Sequence, residues 1–330
     1  MRIFITGATG FIGKELVRRL RETGHELRCL VRPTSNTAGL EGPRVALVRG
    51  DVTDRQSLVE GMRGCEWVVN LANLYEFWHR DRRTYDAVNV EGTRNVLEAA
   101  REVGAAKVLH VSTVAAYGDA PWPIDERSPW GPHAPGDYAR TKRIGEDIAR
   151  ALRAEHRLPL VIVAPGGVLG PDDPKATGRL VRALALGEMP ALVFPGSPFP
   201  FVHVRDVAEA IVRALEKAGN EGEKYILAAD NPTFGEIART VSEISGTKAP
   251  RWTMPGPAAV AAGYLATAAA RLTGRPPAMD LAIEQVRMMK RGMRVDGSKA
   301  ARDLGIAYTP IRTALEEEVA DAQGAAARQG

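Results

Sequence analysis

Short apolar runs alternate with longer stretches of helical spacing through the first half of the chain. "RIFI", "ELRCLV", "VALVRG", "WVVNLA", "KVLHVS" and "LVIVAP" read as strands, each followed by a helix-like stretch or by a loop leading to one. Strands recurring in that order predict a parallel sheet covered by helices on both faces. No repeat period or low-complexity block interrupts the pattern between residue 2 and about residue 165. After Pro165 it breaks: "PGGVLGPDDP" and "FPGSPFP" are Pro- and Gly-rich connections, and helical spacing returns at 206–217, 233–246 and 258–272.

The first strand runs into "TGATGFIG", with glycines at positions 7, 10 and 13, and then into "KELVRRLRETG", which has helical spacing. Glycines in such a strand-to-helix turn let backbone N–H groups approach a pyrophosphate closely, at the positive end of a helix dipole. They also serve a bare tight turn, so the loop gains meaning only from the residues downstream of it. The expected fold is α/β, a Rossmann-type doubly wound parallel sheet with a smaller, discontinuous C-terminal lobe over the carboxyl ends of the strands. Residues 1–165 form the dinucleotide-binding domain in this reading, with parts of 200–230 returning to it. Residues 166–330 form mainly a substrate-binding lobe.

Composition narrows the class. Hydrophobic residues make up 45% of the 330-residue chain and charged residues 25%, which excludes a disordered chain. Forty-four basic against 40 acidic residues leave a charge of +4, with the cations scattered among acids and not gathered in a stripe. Nucleic acid is therefore not an expected partner. Cys29 and Cys65 have no His or Cys at ligand spacing nearby, so no metal is expected and a reducing cytoplasm suits them. The N-terminus enters a strand at once without a secretory pattern, which also favours the cytoplasm. The Ala-rich segment Pro257–Leu272 is too short and too weakly hydrophobic for a span of about 20 apolar residues. It reads as a packed helix, with a surface touching membrane or a greasy substrate as the alternative.

Candidate chemistry lies in "DYARTKRIGED". Tyr138 and Lys142 are four residues apart in a helical pattern, hence on one face. A neighbouring ammonium favours the phenolate, so this spacing predicts a tyrosine of lowered pKa, suited to general acid/base work on a carbonyl–alcohol pair. "HVSTVAAYG" places the Ser112 and Thr113 hydroxyls at the end of the fifth strand, where a doubly wound sheet presents its site.

In this order the motifs "TGATGFIG", "GDVTD", "NLAN", "NVEGTRNVLEAA", "VSTVAAYG", "YARTK", "PGGVLGP", "FVHVRDVAEA" and "SKAARDLG" cover nearly the whole chain. The chain resembles an extended short-chain dehydrogenase/reductase of the NAD-dependent epimerase/dehydratase family. "LVRPTSN" and "NVEGTRNVLEAA" are similar to the dihydroflavonol-reductase-like branch, which includes hopanoid-associated sugar epimerase-like members. The resemblance implies that Thr113, more than Ser112, holds the substrate oxygen, that Tyr138 passes the proton, and that Lys142 binds the nicotinamide ribose. It implies cofactor contacts from Gly7, Thr9, Gly10, Phe11 and Ile12, from Asp51 and Val52 at the adenine, and from Leu71, Ala72 and Asn73. Pro165 and Val168 would approach the nicotinamide amide. Asn89 would support neighbouring backbone contacts, although an Asn before an apolar-periodic run also suits a helix cap.

The second strand ends at Val31, where an NAD site usually carries an acid for the ribose 2′-hydroxyl. Arg32 comes next and can answer a 2′-phosphate, so NADP(H) is expected in preference to NAD(H). Nucleotide-sugar relatives grip a diphosphate with an arginine and an asparagine where this chain has Phe199 and Gly167. Tyr75, Phe77, Trp78, Trp122, Trp130, Phe199 and Phe201 are candidates for an aromatic pocket, of which Tyr75, Trp78 and Phe199 are expected to join Thr113 and Gly167 around substrate. The expectation is an NADP(H)-dependent oxidoreductase acting on a small-to-medium, largely apolar ketone, aldehyde or alcohol. The alternative is a sugar epimerase or dehydratase with tightly held nucleotide; a non-enzymatic dinucleotide sensor would not need Thr113, Tyr138 and Lys142 together. A monomer or homodimer is expected, the family's dimers pairing helices around 83–103 and 138–155.

Overall fold

The computed structural model describes residues 1–277 and 281–327. Its centre is a seven-stranded parallel sheet. In chain order the strands are β1 (Arg2–Thr6), β2 (Glu26–Val31), β3 (Val45–Arg49), β4 (Trp67–Asn70), β5 (Lys107–Val111) and β6 (Leu160–Pro165), the six expected from the apolar runs. Their spatial order is β3-β2-β1-β4-β5-β6, continued beyond β6 by a seventh strand, Lys224–Leu227. The order reverses between β1 and β4, and a crevice opens there beyond the carboxyl ends of the strands.

Helices cover both faces: α1 (Phe11–Arg21), α2 (Arg55–Met62), α3 (Arg83–Tyr85), α4 (Gly92–Glu102) and α5 (Asp137–His156). A π-helical turn, Asp86–Glu91, joins α3 to α4 in one continuous rod. One face of the sheet is sealed by residues such as Leu16, Val17 and Leu20 of α1, all with no exposed surface. The other is sealed by Val96, Leu97 and Ala100 of α4 and Ala149 of α5. These apolar positions recur at three- and four-residue spacing, which fixes the buried face of each helix.

Beyond Pro165 come β7 (Gly167–Leu169), α6 (Ala176–Ala185), β8 (Ala191–Val193), β9 (Phe201–His203), α7 (Val204–Glu216) and the seventh sheet strand, here β10. After these come α8 (Phe234–Ser245), β11 (Trp252–Met254), α9 (Gly256–Thr273), α10 (Ile283–Arg291), α11 (Ser298–Leu304) and α12 (Ile311–Ala327). β7 pairs with β9 and β8 with β11, both in parallel. α6, α8 and α12 enclose a second core containing Val181, Leu184, Ile237, Val241, Leu315 and Val319. α7 packs on α1, and α11 packs on α7 and β10, so the chain leaves and rejoins the large sheet more than once.

β10 reads "KYIL", with a lysine as its first residue. The strand is held by a buried ion pair: Lys224 Nζ lies 2.8 and 3.0 Å from the two Glu146 carboxylate oxygens on α5. Lys224 also sits over the Tyr117 and Trp130 rings at 4.2 and 4.8 Å. Paired charges and ring faces let a lysine be buried at this strand edge.

Candidate active site

A cleft of about 390 Å³ lies along the sheet's switch point. Gly7, in the left-handed region at φ 72°, turns β1 into α1, and the Gly10 N–H donates to the Gly7 carbonyl at 3.0 Å. A Cβ on Gly7 would stand 2.8 Å from the Ala72 nitrogen, and one on Gly13 would overlap the Gly7 carbonyl. The loop therefore closes only with glycine at these places. Gly10 caps α1 without any side-chain hydrogen bond, so the first N–H groups of the helix face the cleft. A cradle of bare backbone at a positive helix end fits a dinucleotide pyrophosphate.

Beneath this loop runs a buried polar chain that the sequence did not announce. The Thr6 hydroxyl donates to Asn70 Oδ1 at 2.8 Å and accepts from the Ala72 N–H at 3.1 Å. Asn70 Nδ2 lies 3.2 Å from His110 Nδ1. Burial holds His110 down at about 3, so it stays neutral and ties β4 to β5 without adding charge.

Tyr138, near the start of α5, lines the cleft. Thr113 lies two residues past β5 and caps the short turn Val114–Tyr117, its Oγ accepting from the Ala115 N–H at 3.2 Å. Thr113 lines the cleft with Tyr138 and is the residue whose hydroxyl favours the ionised phenol. Lys142 lies one turn further along α5, but it is buried and absent from the cleft lining. Its Nζ donates to the Val111 carbonyl at 2.6 Å, and burial pulls the ammonium down to about 8.

This geometry corrects the expected lowering of the tyrosine pKa. Burial pushes the Tyr138 phenol upward, reinforced by Tyr75, and only the Thr113 hydrogen bond opposes it. The Tyr75 and Phe77 rings stand edge-on to Tyr138, with centroids at 5.0 and 6.3 Å. Desolvation by these neighbours dominates, and the Lys142 ammonium, held on the Val111 carbonyl, is not among the groups that shift the phenol.

Thr9, Phe11, Ile12, Arg32, Asp51, Val52, Leu71, Ala72, Asn73, Pro165 and Val168 all line the cleft, with Gly7 and Gly10. Asn89 does not. It is buried inside the helical rod, so the cap reading fails. Its side chain accepts from the Leu74 N–H at 2.7 Å and donates to the Leu74 carbonyl at 3.3 Å and to Thr141 Oγ1 at 3.0 Å. Asn89 thus fastens the segment bearing Tyr75 to the helix bearing Tyr138.

Tyr75, Phe199, Gly167 and Thr113, the residues expected around substrate, line the cleft, joined by Phe77, Thr177 and Met288. Trp78 does not. Tyr75 and Phe77 alternate toward Tyr138 in an extended segment, which leaves the intervening and next side chains directed elsewhere. Phe201 is core, 2% exposed. Trp122 is at the surface, and Trp130 packs on Tyr117, so neither belongs to an aromatic pocket. Gly167 has a local reason: a Cβ there would come 2.9 Å from the Phe201 ring and 3.2 Å from Phe199.

A surrounding layer positions α5. Arg82 donates to both Asp137 oxygens at 2.5 and 2.9 Å, and the Asp137 N–H donates to Glu284 Oε2 of α10 at 3.0 Å. Burial raises the Glu284 carboxyl to about 7. The residues that meet here are far apart in sequence, so no local signal could have found Glu284, Thr177 or Met288.

The chain belongs to the NAD dependent epimerase/dehydratase family, whose model matches residues 3–228. It is thus a member of an NAD(P)-dependent enzyme family of extended short-chain dehydrogenase/reductase fold. It is 34% identical over 327 residues to sterol demethylase protein B of Methylococcus capsulatus, covering 97% of this chain and 98% of that one. A Synechocystis protein provisionally named a dihydroflavonol 4-reductase is 32% identical over 326 residues, covering 96% and 93%. Among solved structures, that of gox2253 superposes with a TM-score of 0.84 at 36% identity, covering 98% of both chains.

Proposed function

We propose that this protein is an NADP(H)-dependent oxidoreductase that interconverts a ketone or aldehyde with an alcohol on a small-to-medium, largely apolar substrate. The observation that carries this reading is the meeting of Thr113 and Tyr138 in one cleft with a glycine cradle and the rings of Tyr75, Phe77 and Phe199.

The dinucleotide, when bound, supplies or accepts the hydride at the carbonyl carbon. The work of the chain is at the oxygen. In reduction the carbonyl π electrons move to that oxygen, the Thr113 hydroxyl donates a hydrogen bond to it, and the Tyr138 phenol gives it a proton. The raised Tyr138 phenol holds its proton at neutral pH, which suits an acid in the reducing direction. Lys142, fixed on the Val111 carbonyl, carries its positive charge beneath the site below about pH 8. Arg32 lines the end of the cleft where a 2′-phosphate would lie, and no acid occupies the adjoining Val31 position.

Phe199 and Gly167 support an apolar substrate over a diphosphate, because rings fill the space where a charged grip would stand. The relative named for sterols agrees with such a substrate. The test is a panel of hydrophobic ketones monitored by NADPH absorbance, with calorimetry on UDP- and dTDP-sugars alongside. Stoichiometric NADPH consumption by an apolar ketone is expected. Micromolar binding of a nucleotide sugar, with no ketone reduced, would replace this reading with the epimerase.

A further inference from the structure

α9 has one face that no described element of the chain covers. Its other face packs on α10: a Cβ on Gly263 would meet Val286 at 3.1 Å, and the Ile283 N–H donates to Thr267 Oγ1 at 2.9 Å. The outward side carries Ala258, Ala261, Leu265, Ala268 and Leu272, spaced by threes and fours so that they form one exposed stripe with Tyr264 beside it. Leu265 is 72% exposed and Leu272 is 89% exposed. Trp252, on β11 just ahead of the helix, is 77% exposed. Single exposed apolar side chains are ordinary, but a continuous stripe marks a contact surface.

Charge decides the occupant. From Gly246 to Ile283 the sequence contains Lys248, Arg251, Arg271 and Arg275 against one acid, Asp280. All four cations are exposed, and none forms an ion pair with a described residue. A second copy of the chain meeting this face across a two-fold axis would set the same cations against one another. A sheet of anionic headgroups would complement them. No described helix is long and apolar enough to cross a membrane, so α9 would lie on one.

We propose that this face is a lipid-docking surface: α9 lies in the plane of an anionic bilayer, with Leu265 and Leu272 among the upper acyl chains, Trp252 at headgroup depth and the four cations against lipid phosphates. The surface adjoins the substrate half of the cleft. The Arg80 side chain, on the segment that carries Tyr75 and Phe77, packs beside Gly274 at the end of α9, and α10 carries Met288 into the cleft. An apolar molecule dissolved in the bilayer would then have a short path to Tyr138. The docking itself does not depend on the reaction proposed above.

The experiment is flotation of the full chain with phosphatidylcholine vesicles made with and without phosphatidylglycerol. Wild type should partition at least about tenfold more onto the anionic vesicles, and the gain should fall as salt is raised. Leu265→Asp/Leu272→Asp and, separately, Arg271→Glu/Arg275→Glu should each lower that partition at least about tenfold while circular dichroism and Tm stay unchanged. A blue shift of tryptophan emission on binding should be lost in Trp252→Phe. Wild type that stays with the buffer, or a charge-reversed variant that floats like wild type, would overturn the proposal. So would a dimer, seen by light scattering, that the two aspartates dissociate; that result would assign the face to a second copy.

Discussion

The two halves of the cleft are built by different means. The half proposed for the dinucleotide is mostly backbone: Gly7, Gly10 and Gly13 bring main-chain groups close together, and contiguous residues such as 71–73 complete the wall. The half proposed for substrate is mostly side chains, taken from separated segments: Tyr75 and Phe77, Thr177, Phe199 and Met288. A backbone cradle tolerates little change, because every added Cβ meets a main-chain atom. A side-chain wall changes with each ring that lines it. A common cofactor and variable substrates would be served by that division.

The largest expected effect is at the joint between the halves. Tyr138→Phe keeps the ring that meets Tyr75 and Phe77 and removes only the hydroxyl that carries the proton. Turnover should fall by about 10²–10⁴-fold with NADPH affinity unchanged, as read by steady-state kinetics and fluorescence titration. A variant retaining a tenth of wild-type rate would show that another group moves the proton.

Arg32→Ala should act on the dinucleotide half alone. The Kd for NADPH should rise about tenfold or more, equivalent to about 1.4 kcal/mol, with NADH and the ketone KM little changed. Equal losses for both dinucleotides would mean that Arg32 stacks or supports the loop. Phe77→Ala should do the reverse. Exposing roughly 40 Å² of substrate surface at about 25 cal/mol per Å² raises the ketone KM about fivefold and leaves the NADPH Kd alone. If both constants moved together, the halves would not be separable.

The remaining effect is on stability and not on turnover or binding. Glu318 of α12 is 4% exposed, and burial together with Asp173 and Asp321 raises its carboxyl to about 8, the Gly170 N–H opposing. The folded state therefore holds this proton more tightly than the unfolded chain does. The stabilisation is full below the ordinary carboxylate pKa of about 4.3 and is lost as pH rises through about 8. Tm should fall across that window in wild type. Glu318→Gln, which keeps the shape without the ionisation, should flatten the fall, and an unaltered slope would place the titration on another group.

Much of this molecule was legible before its structure. Six strands announced themselves as apolar runs: five because a strand covered on both faces has little room for polar alternation, and the edge strand β3 although much of it is exposed. The glycine loop and the Tyr138–Lys142 spacing were legible because each is set within one turn or one helix. β10 escaped because "KYIL" begins with a lysine that only Glu146, far away in sequence, makes tolerable. The aromatic loop residues were legible as a group but not one by one: Tyr75 and Phe199 reach the cleft, while Trp78, Trp122, Trp130 and Phe201 do not.

What the sequence determined by itself was therefore the part governed by short-range rules: strand periodicity, φ at glycine, spacing along a helix. Tertiary structure alone decided which side chains converge and what that convergence does to their protons. Lys142 stands one helical turn from Tyr138, as the spacing requires, yet its ammonium is held by the Val111 carbonyl and the phenol is shifted upward. The reason is desolvation, which depends on every neighbour that excludes water from a group, and those neighbours come from the whole length of the chain.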